Sequence, residues 1–165
     1  MARGGCDFSE LVEFQKKMEM LTNNMGEILD ICARELAQRL MAKVIKRTPV
    51  GQYPAVTGKK GGTLRRGWVS KSHAEAASGK GSPTVKDIEA WAKSLRIYHG
   101  AGIYMIEISN PVEYASYVEY GHRTANHTGW VPGHFMMTIS VEEIQRDAPA
   151  ILERKIKKLM EAQLK

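Results

Sequence analysis

Apolar residues recur at spacings of three and four from Leu11 through Phe14, Met18, Leu21, Met25, Ile28 and Cys32, which lines one face of an α-helix. Asp7 followed by Glu10 has the form of a capping box, with Asp in the cap position. The stripe continues through Leu36, Leu40 and Val44 with a shifted phase, and Asn23, Asn24 and Gly26 mark where the helix kinks or breaks. Because the heptad phase is lost, the pattern predicts a helix laid against a sheet in preference to a coiled coil. Thr48 and Pro49 end it, since the residue before a proline avoids helical dihedrals. The glycine- and proline-rich stretch that follows predicts a long flexible loop over 48–63, entering a strand at about Leu64 to Ser70.

Ser82 and Pro83 introduce a second helix, Thr84 to Ser94, with Asp87 and Glu89 near its positive end and Val85, Ile88 and Trp91 or Ala92 facing inward. Leu95–Tyr98 and Gly102–Ser109 read as the arms of a hairpin turned at His99, Gly100 and Ala101. In the second arm Tyr104, Ile106 and Ile108 alternate with Ile103, Met105, Glu107 and Ser109, which predicts an antiparallel sheet covered on one apolar side. Pro111 opens a short helix that runs through Tyr120 and is ended by Gly121. A histidine-bearing loop then leads to a final helix with a stripe of Ile139 or Val141, Ile144, Ala148, Ile151, Leu152, Ile156 and Leu159, in which Pro149 is a point of kinking or division. The expected fold is α+β: a small antiparallel sheet packed by a long N-terminal helix and a C-terminal helix, with a long basic loop. One domain over 1–165, with a loose tail over 1–6, suffices for a chain of this length.

Composition narrows the class. With 43% hydrophobic and 25% charged residues the chain has an ordinary soluble balance, and no apolar run approaches the ~20 residues that span a bilayer. No membrane contact is expected. The opening MARGGCDFSE lacks the apolar core of a secretion signal, so the protein is expected to be made and kept in the cytoplasm. Cys6 and Cys32 are too few and too far apart for a disulfide framework or a zinc site.

Charge changes the picture more. Between Leu36 and His73 there is no Asp or Glu, while Arg39, Lys43, Lys46, Arg47, Lys59, Lys60, Arg65, Arg66 and Lys71 all fall there. Acids gather later, at Glu107, Glu113 and Glu119 and at Glu142, Glu143 and Asp147. Such separation suits head-to-tail contact between copies, or separate partners. It also suits non-specific contact with nucleic-acid phosphates, which needs only clustered cations. Tyr53 and Trp68 are too few to build a stacking platform for bases.

Enzyme-like fragments do not hold together. Gly58, Lys59 and Lys60 lack the preceding glycine spacing and the following hydroxyl of a phosphate-binding loop. Gly100 and Gly102 precede a strand instead of following one, which makes them turn glycines. His122, His127 and His134 share a loop and a helix entry but not the spacing of a metal-binding helix, so surface or interface histidines are the expectation and a metal-dependent enzyme the alternative. No serine or cysteine sits in a nucleophile elbow. The expectation is a protein without catalytic residues, metal or cofactor.

Three ordered segments carry a resemblance. The first is Thr48, Pro49, Val50, then Thr57 and Gly58, then Leu64, Arg65, Arg66, Gly67 and Trp68. The second is VEYASYVEYGH, with Tyr114, Ala115, Tyr117, Val118, Glu119, Tyr120 and Gly121. The third is the aromatic opening of the last helix, Gly133, His134, Phe135 and Met136. Together they resemble the gp-ten-like tail-completion family of tailed phages, which includes minor tail proteins of the Z type. Here the first segment is expanded by GQYPA and KKGGT, and His134 stands where the family commonly has proline.

The resemblance implies an α+β subunit in a homo-oligomeric ring, commonly six-fold, at the head-proximal end of a tail as terminator, neck or collar. Its implied partners are the tail tube and neck or connector proteins, and a contractile phage, a prophage or a headless tail-like particle would all suit it. The residues expected at the interface are Lys59, Lys60, Arg65, Arg66, Trp68, Glu113, Tyr114, Tyr117, Glu119, Tyr120 and His122. A nucleic-acid-binding protein acting through the basic block 39–71 is the alternative.

Overall fold

The computed structural model describes residues 9–58 and 61–164. Two long helices form its spine. α1 (Ser9–Asn23) and α2 (Met25–Arg47) meet at Asn24, which donates its N–H to Met20 O and accepts from Ile28 N. The helical hydrogen-bond ladder therefore runs through the asparagine pair, and the expected break is a joint between helices that continue one another. Asp7, the anticipated cap, lies outside the described residues.

The last helix, α7 (Met136–Leu164), packs along α2. Lys43 pairs with Glu143 and Glu35 with Lys155, so numbers rise on one helix as they fall on the other and the two run antiparallel. Pro149 sits inside α7 without ending it. It is exposed, while Ile144 and Ile151 on either side of it are buried, so packing holds the helix where one backbone hydrogen bond is lost.

Between these helices lie shorter elements. α3 (Thr63–Gly67) occupies the stretch expected to be a strand. Gly62 supplies a positive φ of 96° at its start, and Leu64 and Trp68, four apart, are both buried, which is a helical spacing that a seven-residue window hides. α4 (His73–Ser78) follows, capped by Ser72, whose hydroxyl accepts from Glu75 N. α5 (Val85–Ser94) begins with a full capping box between Thr84 and Asp87. Ile88 and Ala92 face the core, but Val85 is 72% exposed and does not point inward as expected. It shares the helical face of Ile88 and Ala92, at i, i+3 and i+7, but stands in the first turn, short of the packed region. The Arg34 guanidinium on α2 donates to the carbonyls of Ala92, Lys93 and Leu95, closing the C-terminal end of α5.

The strands are shorter than the alternation predicts. β1 (Tyr98–Gly100) pairs antiparallel with β2 (Ile103–Met105), and the turn falls at Ala101 and Gly102, both at positive φ, later than the expected His99–Ala101. The apolar run from Ile106 onward continues without a strand partner. α6 (Ala115–Tyr120) leads into a second antiparallel hairpin, β3 (Gly121–Arg123) with β4 (Trp130–Pro132), in a region expected to be loop. Two small sheets thus replace the single sheet expected, within an α+β fold.

Two apolar clusters result. One gathers Met41, Val44, Leu64, Trp68, Val112 and Met136 where α2, α3 and the start of α7 meet. The other joins Leu21, Ile28 and Cys32 to Leu152, Ile156, Leu159 and Met160.

Candidate interaction surface

The LRRGW segment is built into the fold. Arg65 donates through Nε and Nη2 to Thr48 O at 3.0 and 2.5 Å, tying α3 to the end of α2. Arg66 is 8% exposed, and its guanidinium donates to Ala76 O at 2.7 Å, Gly81 O at 3.0 Å and Gly61 O at 3.4 Å. Buried charge of this kind is tolerated because the planar fork meets several carbonyls at once. Trp68 is buried and donates from Nε1 to Thr48 Oγ1 at 2.8 Å, while that hydroxyl donates to Val44 O. Gly67 is required for contact, since a Cβ there would run into Asn110 Oδ1. The loop before this segment closes at its base, where a side chain on Gly61 would strike the Gly51 carbonyl. Lys59 and Lys60 lie outside the described residues.

The VEYASYVEYGH segment divides into two faces. Glu119, 6% exposed, accepts from the backbone N–H of Met137 and Thr138 and from the Thr138 hydroxyl, all within 2.9 Å. Its carboxylate sits where the first amides of α7 lack helical partners, and the helix dipole favours a negative charge there. His134 N and Phe135 N donate to Val118 O and Glu119 O, and a Cβ on Gly133 would overlap the Glu119 carbonyl. This clasp fixes the end of α6 to the start of α7.

The opposite face is open. Tyr117 and Tyr120 are 58% and 63% exposed, and Glu113, Tyr114, Trp130 and Phe135 are also exposed. Phe135 is held at a φ of 47°, a conformation rare for an aromatic residue. Beside them is a groove of about 280 Å³ lined by Val50, Tyr53, Tyr114, Tyr117, His122 and His134. Burial, with Tyr53 next to it, pushes the Tyr114 phenol above its ordinary range. The His122 ring meets Tyr117 edge-on at 5.8 Å, and its buried Nδ1 has no hydrogen-bond partner among the described residues.

The sequence-predicted residues thus separate. Tyr114, Tyr117 and His122 share the groove, with Glu113 and Tyr120 exposed on the same segment, whereas Arg66, Trp68 and Glu119 turn into the body. Tyr53, Trp130 and Phe135 join the open surface without having been among the expected interface residues. The alternation of His122 with Arg123 and of Trp130 with Val131 was the available signal for the second hairpin, too short to stand out from a loop.

Three cations of the basic block are matched by acids of the same chain. Arg39 pairs with Glu35, Lys43 with Glu143 and Asp147, and Arg47 with Glu143. Lys43 holds the Glu143 carboxyl below its usual range, with burial opposing and Arg47 assisting. Among the described residues no group of three or more His, Cys, Asp or Glu is placed to hold a metal ion, and His127 lies apart on an exposed turn. Among the described residues no helix is long and apolar enough to cross a membrane.

What the molecule offers outward is an aromatic surface mounted on a clasped helix. The model of the family described as "Bacteriophage HK97-gp10, putative tail-component" matches residues 12–121, about two thirds of the chain. The chain belongs to this family and is a structural component of a phage tail. The match runs from α1 to Gly121 and contains the LRRGW segment and the VEYASYVEYGH segment up to Gly121, with His122 just beyond it. No curated protein and no solved structure matches the chain.

Proposed function

We propose that this chain completes the head-proximal end of a phage tail as a homo-oligomeric ring, six-fold by the family resemblance, assembled in the host cytoplasm onto the tail tube and facing neck or connector proteins. The observation that carries the reading is the exposed tyrosine face of α6, which lies inside the span that defines the family and stands beside the Tyr53–His122 groove. Tyrosines held on a rigid element lose little rotamer freedom on docking and are frequent anchors of subunit interfaces. Tyr114, Tyr117, Tyr120, Glu113 and His122 form the contact, with the loop around Lys59 and Lys60 reaching the neighbouring subunit or ring. Arg66, Trp68 and Glu119 serve the interface by holding its shape.

The test is light scattering on the purified chain across a concentration series, with negative-stain images of assembled particles and immunogold labelling. A ring-sized species and label at the head-proximal tail end are the expected results. A chain that stays monomeric throughout, or label along the tail shaft or at its distal tip, would overturn the proposal.

A further inference from the structure

Two apolar features of this chain have no partner among its described residues, and they cannot meet within one copy. The first is α1. It continues the line of α2 through Asn24, so it leads away from the body. Leu21, near its end, is buried in the cluster that includes Leu159 and Met160. Upstream on the same helical face, at spacings of three and four, Leu11, Phe14 and Met18 are 61%, 56% and 40% exposed. From Ser9 to Met18 the helix extends about 15 Å with this apolar face uncovered.

The second feature lies farther along α2. Leu29, Ala33, Leu36 and Leu40 line one side of an open groove of about 340 Å³, and Ile106 and Ile108 line another. No charged side chain contributes to its walls. The apolar alternation that suggested a longer strand is here the wall of a trough.

We infer that α1 of one copy lies in the α2–β2 groove of the next, with Leu11, Phe14 and Met18 as its anchors. An amphipathic helix reads an apolar groove through just such anchors at i, i+3 and i+7. This inference rests on the ring reading and supplies its geometry. Donor and acceptor surfaces differ, so each copy gives one arm and receives one, and such heterologous contacts close into a ring when the rotation between neighbours closes, as the ring reading requires. Area argues the same way. At roughly 100 Å² for each large apolar side chain removed from water, three anchors cover about 300 Å² per partner. That is well below the roughly 800 Å² per partner of a stable isolated pair. A single contact of this size is weak, and ring closure, where every copy takes part twice, is what holds it. Pairing of two α1 arms with each other would leave the groove bare and give a two-fold dimer.

The experiment is disulfide cross-linking of the full chain in a Cys6→Ser, Cys32→Ala background carrying Phe14→Cys together with Ala33→Cys. Oxidation is expected to give a ladder of covalent species on a non-reducing gel, ending at the ring, with no ladder from either single variant. A covalent dimer from Phe14→Cys alone would overturn the inference, since the arms would then be pairing with each other. So would the absence of a ladder from a preparation in which imaging shows rings, an outcome that leaves the ring itself standing. Absence of rings in every preparation, the unsubstituted chain included, removes the ring reading along with it. Independently, Leu11→Ser with Phe14→Ser should keep the helical circular dichroism of the parent and require at least tenfold more protein to self-associate. Unchanged self-association would equally sink the arm-in-groove contact.

Discussion

The basic end of α2 and the α6 segment treat charge in opposite ways. Along α2, Arg39, Lys43 and Arg47 recur every four residues and meet Glu35, Glu143 and Asp147 of the same chain. Along α6, the acid Glu119 turns inward to the first amides of α7, and Tyr117 and Tyr120 turn out. Lys43 and Arg47 thus mark a seam between α2 and α7, while the exposed side chains of α6 are aromatic. Half-exposed ion pairs contribute about 0–1 kcal/mol each, whereas a tyrosine seated in a neighbour's pocket reaches about 2 kcal/mol or more. Assembly is accordingly expected to depend on the tyrosines far more than on the basic block.

The largest test of this contrast is at Glu119. Glu119→Ala strips the buried acceptor from two part-buried amides and a hydroxyl at the head of α7, and leaving such donors unmet costs about 1–3 kcal/mol, more where a charge is lost. Urea unfolding should show a loss of about 3 kcal/mol, and a loss below about 1 kcal/mol would mean that the clasp is incidental. Next comes Arg66→Lys. An ammonium cannot reach the Ala76, Gly81 and Gly61 carbonyls together, so about 2 kcal/mol should be lost although the charge is kept. Equal stability of the lysine variant would show that charge, not the fork, is what this site needs.

These two residues also show where the sequence was legible. Long stripes announced α1, α2 and α7, because many turns of one period outweigh local exceptions such as Asn24 and Pro149. Short elements were not legible. Leu64 to Ser70 reads as a strand until Leu64 and Trp68 are seen buried together, and the second hairpin contributes only three residues per strand. At the surface, VEYASYVEYGH was recognisable as a segment of interest, but its periodicity did not reveal that of the neighbours Glu119 and Tyr120 the first is buried and the second exposed. Nor does a run of lysines and arginines reveal acids a hundred residues away.

A smaller effect distinguishes the seam by acid. Burial works to raise the Glu35 carboxyl, but hydrogen bonds from Lys155 and Arg39 outweigh it and hold the group below its usual range, and Lys43 and Arg47 do the same for Glu143. In the unfolded chain both return to about 4.3. Below that pH the unfolded state binds more protons than the folded one, so stability falls as pH falls. Melting temperature should be flat with respect to these two groups from about pH 8 to 5.5 and decline through pH 4 and below. Glu143→Gln should start from a lower melting temperature and decline less steeply. An equally steep decline in that variant would show that Glu143 is not a source of the acid sensitivity.

The smallest effect on the isolated subunit is expected next door to the largest. Tyr120 projects into solvent from the last turn of α6, so Tyr120→Ser removes little packing and should change monomer stability by no more than about 0.5 kcal/mol. Its effect should appear instead in association. If the α6 face is the contact, loss of one anchor of about 1.4 kcal/mol weakens self-association tenfold, readable as a shift in the concentration at which light scattering detects the oligomer. Glu119→Ala and Tyr120→Ser then form a pair one residue apart, the first acting on unfolding and the second on assembly. If Tyr120→Ser instead lowers the melting temperature as much as Glu119→Ala while leaving assembly untouched, the tyrosine face is part of the body and the contact surface lies elsewhere.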